Sequence, residues 1–316
     1  MARMSRFFGL LCLLLTEAAG AATEGAQTTD ADDLGALWEW HLAAFGRYGP
    51  AYPASKETQF NFVPVPIPVY RGRFLRLFED SESPIRGRIF NWQRVKLDLD
   101  FDFNFPVDSG QIDARQGMPD LDLMLEAGPE IELEFANQER FEGTWALALQ
   151  TRAAASFDGL DPTYRGIAYG AELRYVAHLS ERDDFKLRVT PTFASSRYME
   201  YFYGVDPEFA AGERSAYEAR SGYLGTGVTV NWIRQLTEKL RLVVAVRMDL
   251  HSGARNQDSP LFTRTTTAGI QGALLYRFWQ SERRARRAEE TTPTEPADDT
   301  TPSSPPGGTL LLKRPK

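Results

Sequence analysis

The sequence predicts an all-β protein: a closed antiparallel transmembrane β-barrel of about twelve strands, with ten as the alternative. Two observations predict this class. Apolar and polar residues alternate through most of residues 36–280, and short and longer connections between the alternating segments follow one another along the chain. A strand of period two has one apolar and one polar face. In a membrane barrel, the apolar face meets lipid and the polar face meets the wet interior.

The amino end indicates export. Arg3 and Arg6 precede the apolar run at 7–15, and small residues in A-x-A order follow it. This arrangement is typical of a secretory signal peptide, so we predict that residues 1–22 are removed. The apolar run is too short to cross a bilayer as a helix. Residues 23–35 are polar and acidic, and are predicted to form a flexible leader.

Cysteine usage and charge exclude several function classes. The only cysteine, Cys12, lies inside the predicted signal peptide, so the mature chain has no thiol. Disulfides, thiolate metal sites and cysteine nucleophiles are therefore excluded. The net charge of -7 also argues against a general nucleic-acid partner, because such binders are normally basic.

The alternation defines a series of predicted strands. In chain order they are 37–47, 59–69, 72–79, 84–91, 93–105, 120–135, 142–157, 164–179, 183–198, 221–235, 238–252 and 264–279. Soluble strands average about five or six residues, whereas membrane-spanning strands run to about nine to eleven. Most segments have the longer length. The alternation is poor within 72–91, where the predicted boundaries are weakest.

The connections fall into two groups. The short ones lie near Arg71, near Trp92, and at 137–140, 180–183 and 236–239. The longer ones are 48–58, 106–119, 158–163, 199–220 and 253–263. Short periplasmic turns and longer outer loops are typical of a bacterial outer-membrane barrel, whereas a β-sandwich gives no reason for this asymmetry. Both chain ends are then predicted to be periplasmic.

The polar faces of the predicted strands carry charges that we expect to line the lumen as an ion-pair network. They are Asp98, Asp100, Asp102, Glu126, Glu130, Glu132, Arg152, Glu172, Arg174, Lys186, Arg188, Arg241 and Arg247. Interior charges are tolerated when they are paired and hydrogen-bonded. The alternative is a cation site. Residues two apart on a strand are about 6.5 Å apart, whereas calcium needs oxygens at about 2.4 Å, so we predict no metal and no cofactor.

No catalytic residues are predicted. The three histidines are His41, His178 and His251, and Ser156 lies on a polar face, but no G-x-S-x-G motif is present. A membrane hydrolase, the alternative, would need a serine–histidine contact.

The last predicted strand and the residues after it differ sharply. The stretch "QGALLYRF" (271–278) resembles the terminal-strand signal of the barrel-assembly machinery, with Tyr276 and Phe278 in its aromatic positions. Residues 281–316 are charged at first and then rich in Pro, Thr and Ser. Such a composition cannot bury enough apolar surface to order itself, so we predict a disordered periplasmic tail.

Three stretches of the chain are distinctive: "FNFVPVPIPVYRGRF" (60–74), "RYMEYFYGVDPEFAAG" (197–212) and "DSPLF" (258–262). Through these stretches the chain resembles the MltA-interacting protein (MipA/OmpV) family of outer-membrane barrels. The resemblance implies a location in the cell outer membrane, in contact with its lipid, and no catalytic residues. It also implies a scaffold or adaptor role, because one branch of the family is linked to joining a murein hydrolase with a murein synthase.

The expected function is therefore a non-enzymatic scaffold. The alternative is a narrow channel for small solutes, since a barrel of about twelve strands is wider than the eight-stranded type that side chains fill.

Overall fold

The computed structural model describes residues 35–71, 76–77, 85–86, 90–92, 95–134 and 143–284. The predicted signal peptide, the leader before residue 35, most of the predicted strands 72–79 and 84–91, and the tail from residue 285 lie outside these ranges.

Within the described ranges β-strand is the main secondary structure. The strands are β1 (Trp38–Pro50), β2 (Thr58–Arg71), β3 (Arg76–Leu77), β4 (Ile85–Arg86), β5 (Phe90–Trp92), β6 (Val95–Asn104), β7 (Leu123–Glu134), β8 (Thr144–Asp158), β9 (Asp161–Ser180), β10 (Asp183–Ala194), β11 (Gly222–Thr237), β12 (Leu240–Leu250) and β13 (Thr266–Gln280). They form one sheet in the order β4-β3-β2-β1-β13-β12-β11-β10-β9-β8-β7-β6-β5. Every pairing is antiparallel, and the first strand pairs with the last.

Ten strands are long, from the 10 residues of β6 to the 20 of β9, and each overlaps a predicted strand. The two weakest predictions, 72–79 and 84–91, coincide in the described residues only with the short β3, β4 and β5. The sheet therefore has ten long antiparallel strands, which was the alternative prediction.

Strand β2 carries proline at alternate positions, Pro64, Pro66 and Pro68, yet pairs with β1 along its whole length. Successive residues of a strand direct their N–H groups to opposite sides, and proline has none. The prolines therefore remove donors only from the side of β2 that faces away from β1. On that side the described residues pair only at Tyr70 and Arg71, with β3, as expected where proline borders a strand.

The strand predicted to end at residue 198 ends at Ala194, and Ser196–Tyr203 form helix α1 instead. In this helix Tyr198, Met199, Phe202 and Tyr203 are buried. These positions lie on one face of a helix. The segment therefore folds as a helix, although the alternation predicted that the preceding strand would continue. No helix among the described residues is long and apolar enough to cross a membrane.

The connection between β8 and β9 also differs from its prediction. A long loop at 158–163 was expected, but β8 ends at Asp158 and β9 begins at Asp161. Gly159 takes a φ of 68°, a conformation that glycine adopts without strain, and this allows the tight turn. Strand β9 is therefore 20 residues long, four more than its predicted segment 164–179, whereas β8 ends one residue beyond its predicted end.

The two faces of the long strands have opposite character. In β8, buried Ala148, Gln150 and Arg152 alternate with exposed Leu149 and Thr151. Large apolar side chains are exposed on many strands, including Leu42, Phe62, Leu125, Ile131, Leu173, Val246, Ile270, Leu274 and Phe278. Continuous exposed apolar surface of this kind marks contact with a membrane or a partner.

The connections β1–β2, β6–β7, β10–β11 and β12–β13 pack together at one end of the sheet. We call residues 51–57, 105–122, 195–221 and 251–265 the loop cap. Its buried apolar residues, with those of the adjoining strand ends, form one cluster: Ala51, Tyr52, Ala54, Val107, Ile112, Leu121, Met124, Ala154, Ala168, Ala194, Tyr198, Met199, Phe202, Tyr203, Val205, Ala219, Leu224 and Leu261. Leu121, predicted on an exposed strand face, is 3% exposed because it belongs to this cluster.

Candidate functional site

Many of the charges predicted from the alternation lie on one face of β6–β9. Asp98 is paired with Glu130, and Asp102 with Glu126, across β6 and β7. The buried members are Asp98, Asp100, Glu126, Glu130, Glu132, Arg152, Glu172 and Arg174. We call these residues, with Asp102, the charged network. Such a concentration of carboxylates requires cations within hydrogen-bond distance.

Arg152 on β8 is the first of these cations. Its Nη1 donates to Asp100 Oδ2 at 2.7 Å and its Nε donates to Glu126 Oε2 at 3.1 Å. Its Nη2 lies 3.6 Å from Asp102 Oδ2. The amide of Asn104 donates to the other oxygen of Glu126 at 3.1 Å. One guanidinium therefore holds carboxylates from two neighbouring strands.

Arg174 on β9 is the second cation. Its Nη2 donates to Glu130 Oε2 and its Nη1 to Glu132 Oε2, both at 2.6 Å. Its Nε donates to Glu172. The hydroxyl of Thr190 donates to Glu172 Oε2 at 2.8 Å. The planar fork of arginine suits this multiple binding of carboxylates.

Lys96 extends the charged network toward the end of β6. Its Nζ donates to Glu132 Oε1 at 3.2 Å and also to Glu134. The predicted site omitted Lys96 and Glu134. Both belong to the polar faces in the sequence, so strand parity alone was a sufficient signal to include them.

Two of the other predicted cations contact neighbouring residues on β11 and β12. Arg247 Nε donates to both oxygens of Asp249, at 2.9 and 3.0 Å. Arg241 Nε donates to Gln235 Oε1 at 3.0 Å. In the strand register, Lys186 lies opposite Asn231 of β11, and Arg188 lies opposite Arg174 of β9 and Thr229 of β11.

The charged network is joined to the loop cap through one phenol. Tyr198 of α1 donates its hydroxyl to Glu126 Oε1 at 2.8 Å. Burial of the ring raises the pKa of Tyr198 well above its ordinary value, so the phenol stays protonated. The sequence could not indicate this contact, because Tyr198 was predicted to lie at the end of a strand.

Inside the loop cap, polar groups are satisfied mainly by backbone carbonyls. Buried Arg115 donates to Ser109 Oγ at 3.1 Å, Pro119 O at 3.3 Å and Phe202 O at 3.4 Å. Burial lowers the pKa of Arg115. The hydroxyl of Tyr52 donates to Leu261 O at 2.8 Å, and burial raises the pKa of Tyr52 to about 12. These bonds fix the loops to one another.

None of the three histidines hydrogen-bonds a serine hydroxyl within the described residues. His41 contacts Glu39, His178 contacts Asp184, and His251 lies between Ala54 N and Leu224 O. Ser156 accepts a bond from Arg165 Nε at 2.8 Å instead. The contact that the hydrolase alternative required is therefore not formed in this part of the chain.

The described residues contain no group of three or more histidine, cysteine, aspartate or glutamate residues arranged to hold a metal ion.

The two aromatic residues of the predicted assembly signal, Tyr276 and Phe278, are 46% and 54% exposed on β13. Their role in assembly stays a prediction.

The comparisons with known proteins add a family and three partial structural matches. A family model described as MltA-interacting protein MipA matches residues 42–278. A search of curated proteins finds no match to the chain.

Among solved structures, a FadL homologue of Pseudomonas aeruginosa is 9% identical, with 68% of this chain and 60% of that chain covered and a TM-score of 0.29. An outer membrane channel of Pseudomonas putida F1 is 13% identical, with 80% and 100% covered and a TM-score of 0.36. The Pseudomonas putida toluene transporter TodX is 7% identical, with 76% and 88% covered and a TM-score of 0.27. This chain therefore spans about 60% of the length of the FadL homologue, and no function is transferred from these proteins.

Proposed function

The chain belongs to the MltA-interacting protein MipA family and is an outer-membrane β-barrel protein; from this premise we propose that it acts as a non-enzymatic scaffold. In this role it holds a murein hydrolase, and with it a murein synthase, at the periplasmic end of the barrel. The proposed organisation is a cleaved signal peptide (1–22), a leader (23–35), the barrel (36–280) and a periplasmic tail (281–316).

We further propose that the sheet closes into a complete barrel of about twelve strands. Three contacts support closure. Phe45 of β1 packs against Phe103 and Phe105, with ring centroids 6.4 and 6.0 Å apart. The amide of Gln59 on β2 donates to Pro106 O at 3.5 Å. Cα atoms of β4 and β6 also approach within 8 Å. Closure would leave no unpaired edge in lipid.

The observation that carries the scaffold proposal is the loop cap. Its buried cluster includes Phe202 and Tyr203, which are 2% and 1% exposed. A close-packed apolar cluster of this kind has few voids for water, so it favours a sealed outer end over an open conduit. A sealed barrel does not transport solutes, so its ends are the surfaces at which a partner would bind.

At the end opposite the loop cap, residues 37–38 are hydrogen-bonded to residues 281–283. Leu37 N donates to Arg283 O at 2.7 Å, and Ser281 N donates to Trp38 O at 2.8 Å. Residues 281–284 thus continue the pairing of β1 with β13, beyond the predicted boundary at 280. Ala36 and Arg284, which form a β-bridge, therefore lie together at the end where a periplasmic partner would bind.

A pull-down tests the partner. The full-length protein, purified in detergent, is expected to retain a murein hydrolase of the MltA type. A variant that ends at Arg284 is compared with it to measure the contribution of the tail to this binding. An unrelated outer-membrane barrel in the same detergent serves as the control. Failure of both forms to retain the hydrolase or a murein synthase above this control would refute the scaffold role.

A planar-bilayer experiment tests the seal. The wild-type protein is expected to give no sustained current steps. Phe202→Ala leaves a cavity in the cap cluster, and is expected to give intermittent openings. The matched control is Phe62→Ala, which truncates a side chain that is 52% exposed on β2, far from the cap cluster. Sustained steps from the wild-type protein would favour a channel.

The second candidate function is a narrow channel for small solutes. One observation favours it: Asp102 and Arg247 remain 53% and 49% exposed, although both lie on strand faces that also carry buried residues. Water therefore reaches part of the polar face between the strands. In this case, conductance would depend on salt and on these two charges.

A further inference from the structure

The polar face carries a second charged region, on β12, β13 and β1, which the charged network does not use. Arg47 and Arg247 line a recess there together with Asp249, Gly269 and Gln271. We propose that this recess, which we call the arginine recess, binds a small oxyanion, meaning the carboxylate or phosphate group of a solute. This inference goes beyond the scaffold role and does not depend on a murein partner.

The first argument is charge. Arg247 is bound to Asp249, which neutralises one guanidinium. Arg47 has no carboxylate within 4.0 Å among the residues that the structure describes, and its Nη2 donates only to Pro50 O, at 3.3 Å. The arginine recess therefore has two cations and one carboxylate. A guanidinium taken out of bulk water without a counter-charge is costly, and a bound monoanion removes that cost.

The second argument is shape. Gly269 of β13 lines the arginine recess, and Gly49 of β1 lies against it. A Cβ at Gly49 would lie 3.2 Å from Gly269 Cα, and a Cβ at Gly269 would lie 3.1 Å from Gly49 Cα. Both distances are tighter than most contacts of a real Cβ, so the neighbouring strand would have to shift to admit a side chain. The backbone at Gly269 carries no side chain into the arginine recess, so an anion that contacts Arg47 meets bare backbone there.

The third argument is access and an unused polar group. Arg247 is 49% exposed, whereas Ala245 and Thr267 on the same face are 1% and 5% exposed. The Arg247 side chain is therefore accessible at the arginine recess. Thr267 lies opposite Asp249 in the strand register, and its buried Oγ1 has no hydrogen-bond partner among the described residues. This hydroxyl can donate to an oxyanion or to its water.

The nearest competitor is Asp102 on β6. Its charge acts on both Arg47 and Arg247, although its closest cation is Arg152, at 3.6 Å. An incoming anion must therefore bind against the repulsion of Asp102. Removing the charge of Asp102 is expected to strengthen binding, whereas removing the charge of Arg47 is expected to weaken it.

Isothermal titration of the full-length protein in detergent tests the proposal, with acetate, inorganic phosphate and chloride as separate probes. Acetate or phosphate is expected to bind more tightly than chloride, because a planar guanidinium fork matches two oxygens and not a sphere. The arm with the larger response identifies the carboxylate or the phosphate group as the ligand chemistry. Equal weak responses to all three anions would indicate general charge screening and overturn the proposal.

Four variants complete the test. Arg47→Gln is expected to weaken oxyanion binding about 10-fold to 100-fold. Arg47→Lys keeps the charge and is expected to weaken it less, and Asp102→Asn is expected to tighten it. Arg241→Gln, on β12 and bound only to Gln235 among the described residues, is the matched control and should bind as the wild type does.

If Arg47→Gln fails to fold, Arg47→Lys and Asp102→Asn decide the question. Unchanged affinity in both, or an equal loss in Arg241→Gln, would refute the arginine recess as the site.

Discussion

The loop cap and the ten long strands, which we call the strand band, bury opposite kinds of side chain. In the loop cap, Phe202 and Tyr203 are 2% and 1% exposed. In the strand band, Glu126 and Glu130 are 1% and 2% exposed, whereas Leu149 is 49% exposed. The loop cap therefore buries apolar side chains, as a soluble protein does. The strand band instead buries polar side chains and exposes apolar ones.

The difference shows that two solvents act on one polypeptide. In water, burying apolar area stabilises by about 25 cal/mol per Å², which accounts for the packed loop cap. In hydrocarbon this gain is absent, and an unpaired charge or backbone group costs several kcal/mol, so polar groups turn inward and pair. The strand band needs its arginine–carboxylate bonds for this reason, whereas the loop cap relies on packing.

The largest expected effect is on the ion pairs of the strand band. Arg174→Met removes the cation that holds Glu130, Glu132 and Glu172. It is expected to lower the free energy of unfolding by about 3–5 kcal/mol, because three buried carboxylates lose the arginine that they share. Urea unfolding in lipid vesicles, followed by tryptophan fluorescence, measures this change. Arg241→Met, at an exposed site, is the control, and an equal loss in both variants would contradict the network.

The next effect tests the lipid contact directly. Leu149→Arg places a charge on the outer face near the middle of β8, and is expected to cost about 2–4 kcal/mol in a bilayer. Leu160→Arg changes a side chain that is 66% exposed in the β8–β9 turn, and should cost about 0.5 kcal/mol or less. If both variants unfold like the wild type in vesicles, hydrocarbon does not surround the strand band.

A smaller effect is expected where the two regions meet. Tyr198→Phe removes the hydroxyl that donates to Glu126, and is expected to cost about 1.5 kcal/mol, since Arg152 and Asn104 still bind that carboxylate. A double-mutant cycle with Glu126→Gln isolates the coupling between the two side chains. A coupling energy of zero would mean that the loop cap and the charged network are independent.

The smallest effect concerns pH within the loop cap. Burial is the main cause of the raised pKa of Glu200, whose Oε2 accepts a bond from Ala219 N at 2.6 Å. A raised folded-state pKa means that the loop cap is most stable when Glu200 is protonated, and loses stability as the pH rises above about 4.5. In Glu200→Gln this dependence should disappear.

Hydrogen exchange of residues 196–220, corrected for the intrinsic effect of pH, measures the difference between wild-type protein and Glu200→Gln. Parallel pH profiles for the two proteins would contradict the assignment to Glu200.

Much of the strand band could be predicted from the sequence. Parity along "VKLDLDFDFNF" (95–105) is enough to place Asp98 and Asp100 on the polar face, because side-chain direction in a strand is a local property. Parity also identifies Arg152 and Arg174 as interior cations. It could not identify the partners of Arg241 and Arg247, because register and strand order decide which charges meet.

The loop cap could not be predicted in the same way. The stretch "SRYMEYFY" (196–203) reads as a continuing strand until Tyr198 and Phe202 are packed against the other loops. The β8–β9 turn was expected to be a longer loop for a similar reason, because only the pairing of the strands shows where they end.

The sequence by itself determined which residues lie on the apolar face and which on the polar face of each long strand, because that property depends only on alternation along the chain. It also determined the family, through the residues that match between 42 and 278. Only the tertiary structure decided that Tyr198 reaches Glu126, that the loops pack into a closed cap, and that Arg47 and Arg247 share one recess. These contacts join segments distant in sequence, and their geometry depends on register and packing that no local pattern contains.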